Sequence, residues 1–204
     1  MPTGHKLDLY KKYKGDYVAS TKPALITVKR APYLAITGRG EPGGQAFQAK
    51  MSALYGAAFT IKMARKAAGR DYAVCKLEGL WWGKRKTADL WSEPKAQWNW
   101  NLMIRVPDFI KQKDLDDAVA ALIRKGKGPE VTQVKLETID EGNCVQMLHV
   151  GPYDAEPDTI ARMLAFARQQ GLSFRGLHHE IYLSDPRRVA PEKLRTILRH
   201  PVGC

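Results

Sequence analysis

The sequence predicts an α+β domain in which one supersecondary unit occurs twice. Gly69 and Gly171 align at a constant offset that also aligns Glu78 with Glu180. In each half a helical pattern ends at the glycine and leads into a strand-like segment that carries the glutamate. The chain has 204 residues, 44% of them hydrophobic, which suffices for one substantial core but is short for two ordinary domains. We therefore expect a single domain at about residues 23–204, with pseudo-twofold symmetry and a central cleft between the two copies.

The first half begins after a polar, basic segment at residues 1–22, which we expect to form an arm packed loosely on the body. The first repeat covers about residues 23–112. Continuous or alternating apolar residues predict strands, and apolar spacing of three to four residues predicts a helix that ends at Gly69. The predicted elements are strands at 25–28 and 33–37, a long helix at 47–68, and strands at 72–82 and 97–106 joined by a charged loop.

The second repeat, about residues 113–204, follows the same plan. Its predicted elements are a short helix at 115–124, strands at 134–139 and 144–150, a helix at 158–170, a strand at 174–184 and a closing strand at 195–202. Pro157 suits the first turn of the second long helix, and Gly171 suits its end. A looser echo pairs Glu41-Pro42 with Glu156-Pro157. The agreement between the halves favours duplication.

Composition and charge narrow the class of protein. The three cysteines, Cys75, Cys144 and Cys204, form no CxxC pair, so neither a disulfide framework nor a zinc knuckle is indicated. The start of the chain does not read as a signal peptide, and no apolar run is long enough to cross a bilayer. The net charge of +12 is dispersed and accompanies no DNA-binding motif. We expect a cytoplasmic protein with no membrane and no specific nucleic acid as partner, and the oligomeric state stays open.

Side-chain alternation along the strands selects the candidate site. Phe174, Gly176, His178, Glu180 and Tyr182 share one face of a strand, so Glu180 lies among aromatic residues. Glu78 shares a face with Lys76 and Trp82, and either Lys76 or a residue on a neighbouring strand could neutralise it. A carboxylate on a mainly apolar face is costly unless it is paired or protonated, and such groups concentrate at functional sites.

The His178-His179-Glu180 string invites a metal interpretation, but strand geometry opposes it. Neighbouring residues on a strand point to opposite faces, so both histidines cannot bind one ion. A site would need His149 together with one of them and Glu180. We therefore expect no metal and no cofactor.

Five strings in order carry a resemblance to a known family: LEGLWW at 77–82, WNWNLMIRVPD at 98–108, QMLHVGPY at 146–153, HHEIYLSDP at 178–186 and RTILRHPV at 195–202. From about Tyr17 to its C-terminus the chain resembles the stand-alone GyrI-like small-molecule-binding family. The resemblance implies the SOUL/GyrI-like fold, in which two β-α-β-β units surround a central cleft. That fold agrees with the repeat described above.

The resemblance also implies a function. Members fused to DNA-binding helices are similar to effector-binding domains of multidrug-responsive regulators, in which a glutamate in an aromatic cleft receives bulky cations. Stand-alone members resemble cyclopropanoid cyclopropyl hydrolases, which detoxify DNA-alkylating cyclopropyl-indole compounds by opening the cyclopropane with water. We expect the second activity. The alternatives are a non-catalytic binder or sequestrant of planar aromatic or cationic small molecules, and a gyrase-inhibitor-like module that binds a protein.

Site residues follow as hypotheses. Glu180 would activate water, and Tyr55, Tyr153 or His149 would donate to the substrate carbonyl. At position 59 the chain has Phe where many relatives are expected to have Tyr, and ordinary packing is the simpler interpretation of that residue. The other residues expected to contact ligand are Glu78, Trp82, Trp98, Trp100, His149, His178, Tyr182 and Phe59.

Overall fold

A computed structural model of the chain describes residues 6–84 and 90–204. The helices in these residues are α1 (Leu9–Lys12), α2 (Lys14–Tyr17), α3 (Gln45–Ala67), α4 (Gln112–Arg124) and α5 (Glu156–Gln169). The strands are β1 (Ala24–Val28), β2 (Ala31–Arg39), β3 (Glu78–Trp82), β4 (Asn99–Arg105), β5 (Lys135–Ile139), β6 (Gly142–Val150), β7 (Ser173–Phe174), β8 (His178–Tyr182) and β9 (Arg195–Gly203). Short 3₁₀ turns include Leu90–Ser92, Lys95–Gln97 and Tyr153–Ala155.

The strands form one curled antiparallel sheet in the order β1-β6-β9-β8-β3-β4-β2-β5, and β7 pairs with β9 at the side. The two halves of this order correspond strand by strand on either side of the β8–β3 pair: β8 corresponds to β3, β9 to β4, β6 to β2 and β1 to β5. The first strand of each half lies with the other half, because β1 pairs with β6 and β5 pairs with β2. The predicted α+β class and SOUL/GyrI-like architecture are confirmed, and the repeat boundaries near residue 112 stay a prediction.

Two layers cover the sheet on opposite sides. On the helix face, α3 packs Leu54, Ala58 and Ile61 into a core with Trp81 and Trp100. Also on this face, α5 packs Met163 and Ala167 against Met147 and Leu198. The opposite side, here called the arm face, is covered by the N-terminal segment, where Tyr17 packs against Leu148, Ile181 and Ile197. Functional chemistry on the two faces is therefore separated by the sheet.

The N-terminal segment packs more closely than the sequence suggests. Leu9 is 2% exposed and Tyr17 is 5% exposed, so both belong to the core. A parallel bridge joins Leu7 to Tyr72. β3 begins at Glu78, and just before it Leu77 O accepts a hydrogen bond from Tyr182 N of β8 at 3.1 Å. Residues 1–5 of the predicted arm lie outside the described residues, as do residues 85–89 of the charged loop.

Two further boundaries differ from the pattern. The predicted strand at 174–184 is two strands, β7 and β8, because Gly176 adopts a left-handed backbone with φ of +69°. Helix α5 begins at Glu156, two residues earlier than expected, with Pro157 in its first turn. None of the described helices is both long enough and apolar enough to span a bilayer.

Candidate active site

Glu180 lies on β8 directly opposite Gly79 of β3, on the helix face. It is 6% exposed, and Glu156, from the first turn of α5, is 2% exposed beside it. The two carboxyl groups are hydrogen-bonded to each other. The junction of β8, β3 and the start of α5 therefore buries two acidic side chains in contact.

Burial and the contact between the two carboxyl groups change the acidity of Glu156. Burial raises the pKa of Glu156 well above its ordinary value, and the charge of Glu180 and the hydrogen bond between the two groups raise it further. This rise favours the protonated, uncharged form of Glu156 beside Glu180. The two acidic side chains therefore place less negative charge in this buried setting than two ionised carboxylates would.

Aromatic hydroxyl and indole groups surround Glu180. Tyr182 donates a hydrogen bond to Glu180, and its oxygen accepts one from Trp81 Nε1 at 3.0 Å. Tyr153 packs edge-on against Tyr182, with ring centroids 6.0 Å apart. Burial, followed by the charge of Glu180, raises the pKa of Tyr153 to about 12, so its hydroxyl is a donor at neutral pH. The site can place hydrogen-bond donors and flat apolar surfaces around one carboxylate.

Gly79 provides the space for this arrangement. A Cβ atom at this position would lie 2.8 Å from Trp81 Nε1 and 3.1 Å from the Tyr182 hydroxyl oxygen. Both distances are shorter than ordinary contacts of a methyl group, so a larger residue would displace the groups that hold Glu180.

His178 lies two residues before Glu180 on β8, and its side chain is on the same face of the sheet. It is 3% exposed, and its Nε2 lies 3.3 Å from Glu180 Oε1. This close contact does not meet hydrogen-bond geometry, so both ring nitrogens lack a hydrogen-bond partner among the described residues. The ring packs edge-on against Trp91, 5.0 Å between centroids, and lies 6.2 Å from the ring of His200.

Glu156, His178 and Glu180 also have a donor set that suits a divalent cation. Their nitrogen and oxygen atoms all lie within 4.8 Å of one another. Carboxylate and imidazole are common ligands of transition metals. The expectation that no metal is required therefore stays a prediction, and it is tested below.

The structure separates Glu78 from this site, which corrects the expectation that both glutamates line one cleft. Glu78 pairs with Ile181 and points to the arm face, where it accepts hydrogen bonds from the Tyr17 hydroxyl at 3.1 Å and from His179 Nε2 at 3.0 Å. Of the two partners considered for Glu78, the residue on a neighbouring strand is therefore found, and Lys76 instead donates to the backbone oxygen of Leu183. Trp82 is also on the arm face and packs against the cluster of Tyr33 and Met103.

The arm face holds a buried ionic cluster centred on His179. Its Nδ1 lies 3.0 Å from Glu141 Oε1, and Glu141 Oε2 accepts a hydrogen bond from Arg199 Nη1 at 3.0 Å. Burial would lower the pKa of His179, but the charge of Glu141 and hydrogen bonds to Glu141 and Glu78 outweigh it and raise the pKa to about 9. Burial would likewise raise the pKa of Glu141, but His179 and Arg199 lower it to about 2. These groups join the arm to the strand that carries Glu180.

Two predicted ligand-contact tryptophans belong to the core. Trp100 is 0% exposed, packs over Gly38 and donates its indole N–H to Gly40 O at 3.2 Å. Because its ring is enclosed, the interpretation of Trp100 as a stacking surface is corrected to a packing role. Trp98 is buried between Trp81 and Trp91, at 6.0 and 5.9 Å between centroids, and so supports the aromatic wall of the site from behind.

The remaining predicted residues lie around the site rather than in it. Both ring nitrogens of His149 are engaged, with Thr159 Oγ1 at 2.9 Å and Pro152 O at 3.1 Å, so it secures the start of α5. Tyr55 is half-buried beside the Leu77 backbone, with Asp185 and Arg187 as its nearest charges, and burial raises its pKa. Phe59 is 52% exposed and stacks on Tyr55 on the outer side of α3, and its expected ligand contact stays a prediction.

Sequence reasoning missed Glu156, Trp81 and Trp91 as site residues. The sequence singled out Glu156 only through the similarity of Glu156-Pro157 to Glu41-Pro42. An acidic residue in the first turn of a helix is common, so it does not by itself indicate a site. Trp91 reaches the site from the turn at Leu90–Ser92 between β3 and β4, and no periodic pattern places such a turn. Lys95, from the same connection, forms an ion pair with Asp154 just before α5.

A separate groove of about 330 Å³ lies between α3 and the chain after α4, lined by residues such as Gly56, Leu122 and Val131. None of the neighbours of the carboxyl pair lines it. We give the groove no role, because it contains no buried group of perturbed acidity, whereas the carboxyl pair does.

Comparison with known proteins gives one family and several solved structures. The sequence pattern of a GyrI-like small molecule binding domain matches residues 21–202. An uncharacterized conserved protein from Listeria innocua is 39% identical, with a TM-score of 0.90 over 97% of this chain and 100% of that one. Two structures titled as a hydrolase from the same organism, one of them encoded by lin2189, are each 37% identical over the same shares, with TM-scores of 0.87 and 0.88. No curated protein matches.

Proposed function

The chain belongs to the GyrI-like small-molecule-binding family, and on that premise we propose that it hydrolyses the cyclopropane of planar cyclopropyl-indole compounds. The observation that carries the proposal is the buried Glu156–Glu180 carboxyl pair, in which the pKa of Glu156 is raised, among aromatic side chains. The hydrolase titles of two structures at 37% identity support a hydrolytic reaction, although they name no substrate.

The proposed reaction adds one water molecule. Glu180 removes a proton from water, the water oxygen forms a bond to the cyclopropane CH₂, and the opposing C–C bond breaks. The electron pair of that bond moves through the conjugated ring onto its carbonyl oxygen. Tyr153 stabilises this oxygen by donating a hydrogen bond, since its hydroxyl keeps its proton at neutral pH. The oxygen is protonated as the product leaves, and Glu180 releases its proton for the next turnover.

Glu156 orients the base. Its contact with Glu180 holds the carboxyl group that takes the proton from water. Among the three proton donors that the sequence left open, Tyr153 is favoured because its ring contacts Tyr182, which itself bonds Glu180. Both nitrogens of His149 are already engaged.

The aromatic wall suits a flat, conjugated ligand. Tyr153 and Trp91 lie on two sides of the carboxyl pair and its histidine neighbour, and stacking adds to apolar burial for such compounds. Trp91 packs against His178, and the Lys95–Asp154 ion pair lies on the neighbouring connections, so a ligand that enters from that side would pass them. Hydrolysis of such compounds would protect DNA from alkylation, and we propose that the protein acts in the cytoplasm.

The test is incubation with a cyclopropyl-indole compound followed by mass spectrometry. The wild type is expected to give a ring-opened product heavier by one water. Glu180→Gln should lower turnover by about 10²–10⁴-fold, because it keeps shape but removes the base. Glu41→Gln is the matched control, since Glu41 is the exposed counterpart of Glu156 in the sequence echo. Turnover by Glu180→Gln at the wild-type rate would place catalysis elsewhere.

A second candidate, binding without turnover, is favoured by the same charge in its aromatic setting. A carboxylate beside Tyr and Trp rings attracts bulky organic cations through charge and cation–π contact. In that case the mixture contains only unchanged compound, and Glu180→Gln weakens the binding of a cationic dye such as a quaternary ammonium.

A further inference from the structure

His178 brings two unpaired ring nitrogens into the site. Its side chain is 3% exposed, and neither Nδ1 nor Nε2 makes a hydrogen bond to any residue in 6–84 or 90–204. Glu156 is 2% exposed, and its Oε1 likewise has no hydrogen-bond partner among these residues. Most buried polar atoms in folded proteins are paired, so these exceptions need an explanation. Because the unpaired atoms belong to neighbouring side chains, one shared partner would satisfy both.

The distances among the donor atoms match those of a metal centre. Zn²⁺ holds imidazole nitrogen and carboxylate oxygen at about 2.0–2.2 Å, so two ligand atoms at the tetrahedral angle lie about 3.3–3.5 Å apart. His178 Nε2 lies 3.3 Å from Glu180 Oε1, in a contact that lacks hydrogen-bond geometry. One donor atom from each of Glu156, His178 and Glu180 lies within 4.8 Å of the other two. The third ligand is thus Glu156 rather than His149, whose two nitrogens are already engaged.

The charge and chemistry of the three donors select the class of cation. Two carboxylates and a neutral imidazole bring two negative charges to a metal, so a divalent cation leaves the buried site neutral. An imidazole nitrogen favours Zn²⁺ and similar transition cations over Mg²⁺ and Ca²⁺, which take oxygen donors. Three protein donors leave one position of a tetrahedron for water. The site therefore suits Zn²⁺ and discriminates against Mg²⁺.

Groups behind the donors hold them in place. Tyr182 donates a hydrogen bond to Glu180, and Trp81 Nε1 donates to the Tyr182 oxygen at 3.0 Å. The ring of His178 packs edge-on against Trp91, with 5.0 Å between centroids. Outer contacts of this kind orient ligands and strengthen metal binding. Because His178 Nδ1 lacks such a contact among the described residues, we expect reversible rather than permanent binding.

We propose that Glu156, His178 and Glu180 form a Zn²⁺ site that inhibits the reaction of the same cleft. Coordination occupies the oxygen with which Glu180 would take a proton from water, so the bound ion and the base cannot act together. Any proton on either carboxyl group passes to solvent as its oxygen binds the ion. The inhibition rests on the proposed function, whereas binding of the ion rests on the geometry of the three donors.

Calorimetry on untagged protein, stripped with EDTA and dialysed, tests binding without any substrate. The wild type should bind one Zn²⁺ per chain, and excess Mg²⁺ should not compete. Glu156→Gln and His178→Gln should each weaken binding at least tenfold, since even an outer contact is worth about 10–100-fold. His200→Gln, at an equally buried neighbouring position, should bind Zn²⁺ like the wild type. Near-UV circular dichroism identifies folded variants, and either ligand variant alone decides the case.

Turnover separates the ion site from the proposed reaction. Saturating Zn²⁺ should lower turnover by about 10²–10⁴-fold, as loss of a general base does, and EDTA should restore it. If the wild type has no turnover, Zn²⁺ should instead displace a quaternary ammonium dye at the calorimetric Kd, which overturns the reaction but supports the ion site. Absence of stoichiometric Zn²⁺ binding, or binding that both ligand variants retain, overturns the ion site even if turnover is normal. Unchanged turnover with the site loaded overturns the inhibition.

Discussion

Raising the pH from about 6 to 9 should remove much of the stability that the His179 cluster gives to the arm face. The folded protein raises the pKa of His179 to about 9, from the ordinary histidine pKa of 6.5. Because the folded state binds this proton more tightly, the stabilisation is complete below pH 6.5 and is lost as the pH rises through 9. The partners responsible are Glu141 and Glu78, and Arg199 acts in the opposite direction.

The size of the effect follows from that shift. Each pKa unit corresponds to about 1.4 kcal/mol, so the free energy of unfolding should fall by roughly 3 kcal/mol between pH 6 and 9. This is a large share of the roughly 5–15 kcal/mol that stabilises an ordinary domain. On the acid side, the pKa of Glu141 is lowered from 4.5 to about 2, so its contribution is lost as the pH falls from 4.5 toward 2. Stability from this cluster is therefore greatest between these limits, near pH 4.5–6.5.

Urea unfolding followed by tryptophan fluorescence at pH 6, 7.5 and 9 measures the effect. His179→Gln cannot bind the proton, so its free energy of unfolding should vary little across this range although it is lower throughout. Glu141→Gln removes the main stabilising charge and should shift the wild-type transition to lower pH. If the wild type keeps the same stability from pH 6.5 to 9, or if His179→Gln shows the same slope, the ionic interpretation of the cluster is refuted.

Three other changes probe the helix face and its partners. Gly79→Ala is expected to weaken ligand binding at least tenfold in a fluorescence titration, because its Cβ would lie 2.8 Å from Trp81 Nε1. The control is Gly15→Ala, whose Cβ would lie in open space and which should bind ligand normally. Equal affinities of the two variants would contradict this prediction. Trp100→Ala should lower the free energy of unfolding by about 3–5 kcal/mol, and a loss of affinity without a loss of stability would return Trp100 to the ligand site. Treatment with EDTA should leave turnover and ligand binding intact, and activity that disappears on chelation and returns with added metal would establish a required cation. Binding of DNA should be weak and should be lost as the salt concentration rises.

The fold was predictable because its signals are local. Apolar spacing and the glycine stops identified α3 and α5, and alternation identified most strands. The strand at 174–184 was predicted as continuous, since a glycine within a strand pattern does not reveal its φ angle. The arm at residues 1–22 looked polar, yet it contributes the buried side chains of Leu9 and Tyr17. A few apolar residues in a basic segment carry no periodicity that would have predicted this.

The site was predictable only in part. Glu180 stood out as an acidic residue on an aromatic strand face, and the structure places it among Tyr182, Trp81 and His178. Glu78 aligned with it in sequence, but strand pairing is offset by one residue from that alignment. A shift of one residue reverses the face of every side chain, so the aligned glutamates point in opposite directions. The partner of Glu180 is instead Glu156, and only tertiary structure brings α5 to β8.

The exchange of β1 and β5 between the halves has a consequence for how the chain can be divided. A fragment ending near residue 112 would leave the edge of β2 without β5, and its β1 would have no β6 to join. Each fragment would present unpaired backbone groups that favour association with another chain. The two halves are thus interlocked by backbone hydrogen bonds, and the β3–β8 seam beneath the carboxyl pair cannot open by a simple hinge between them. Access for a ligand is left to side chains and connecting turns at the rim.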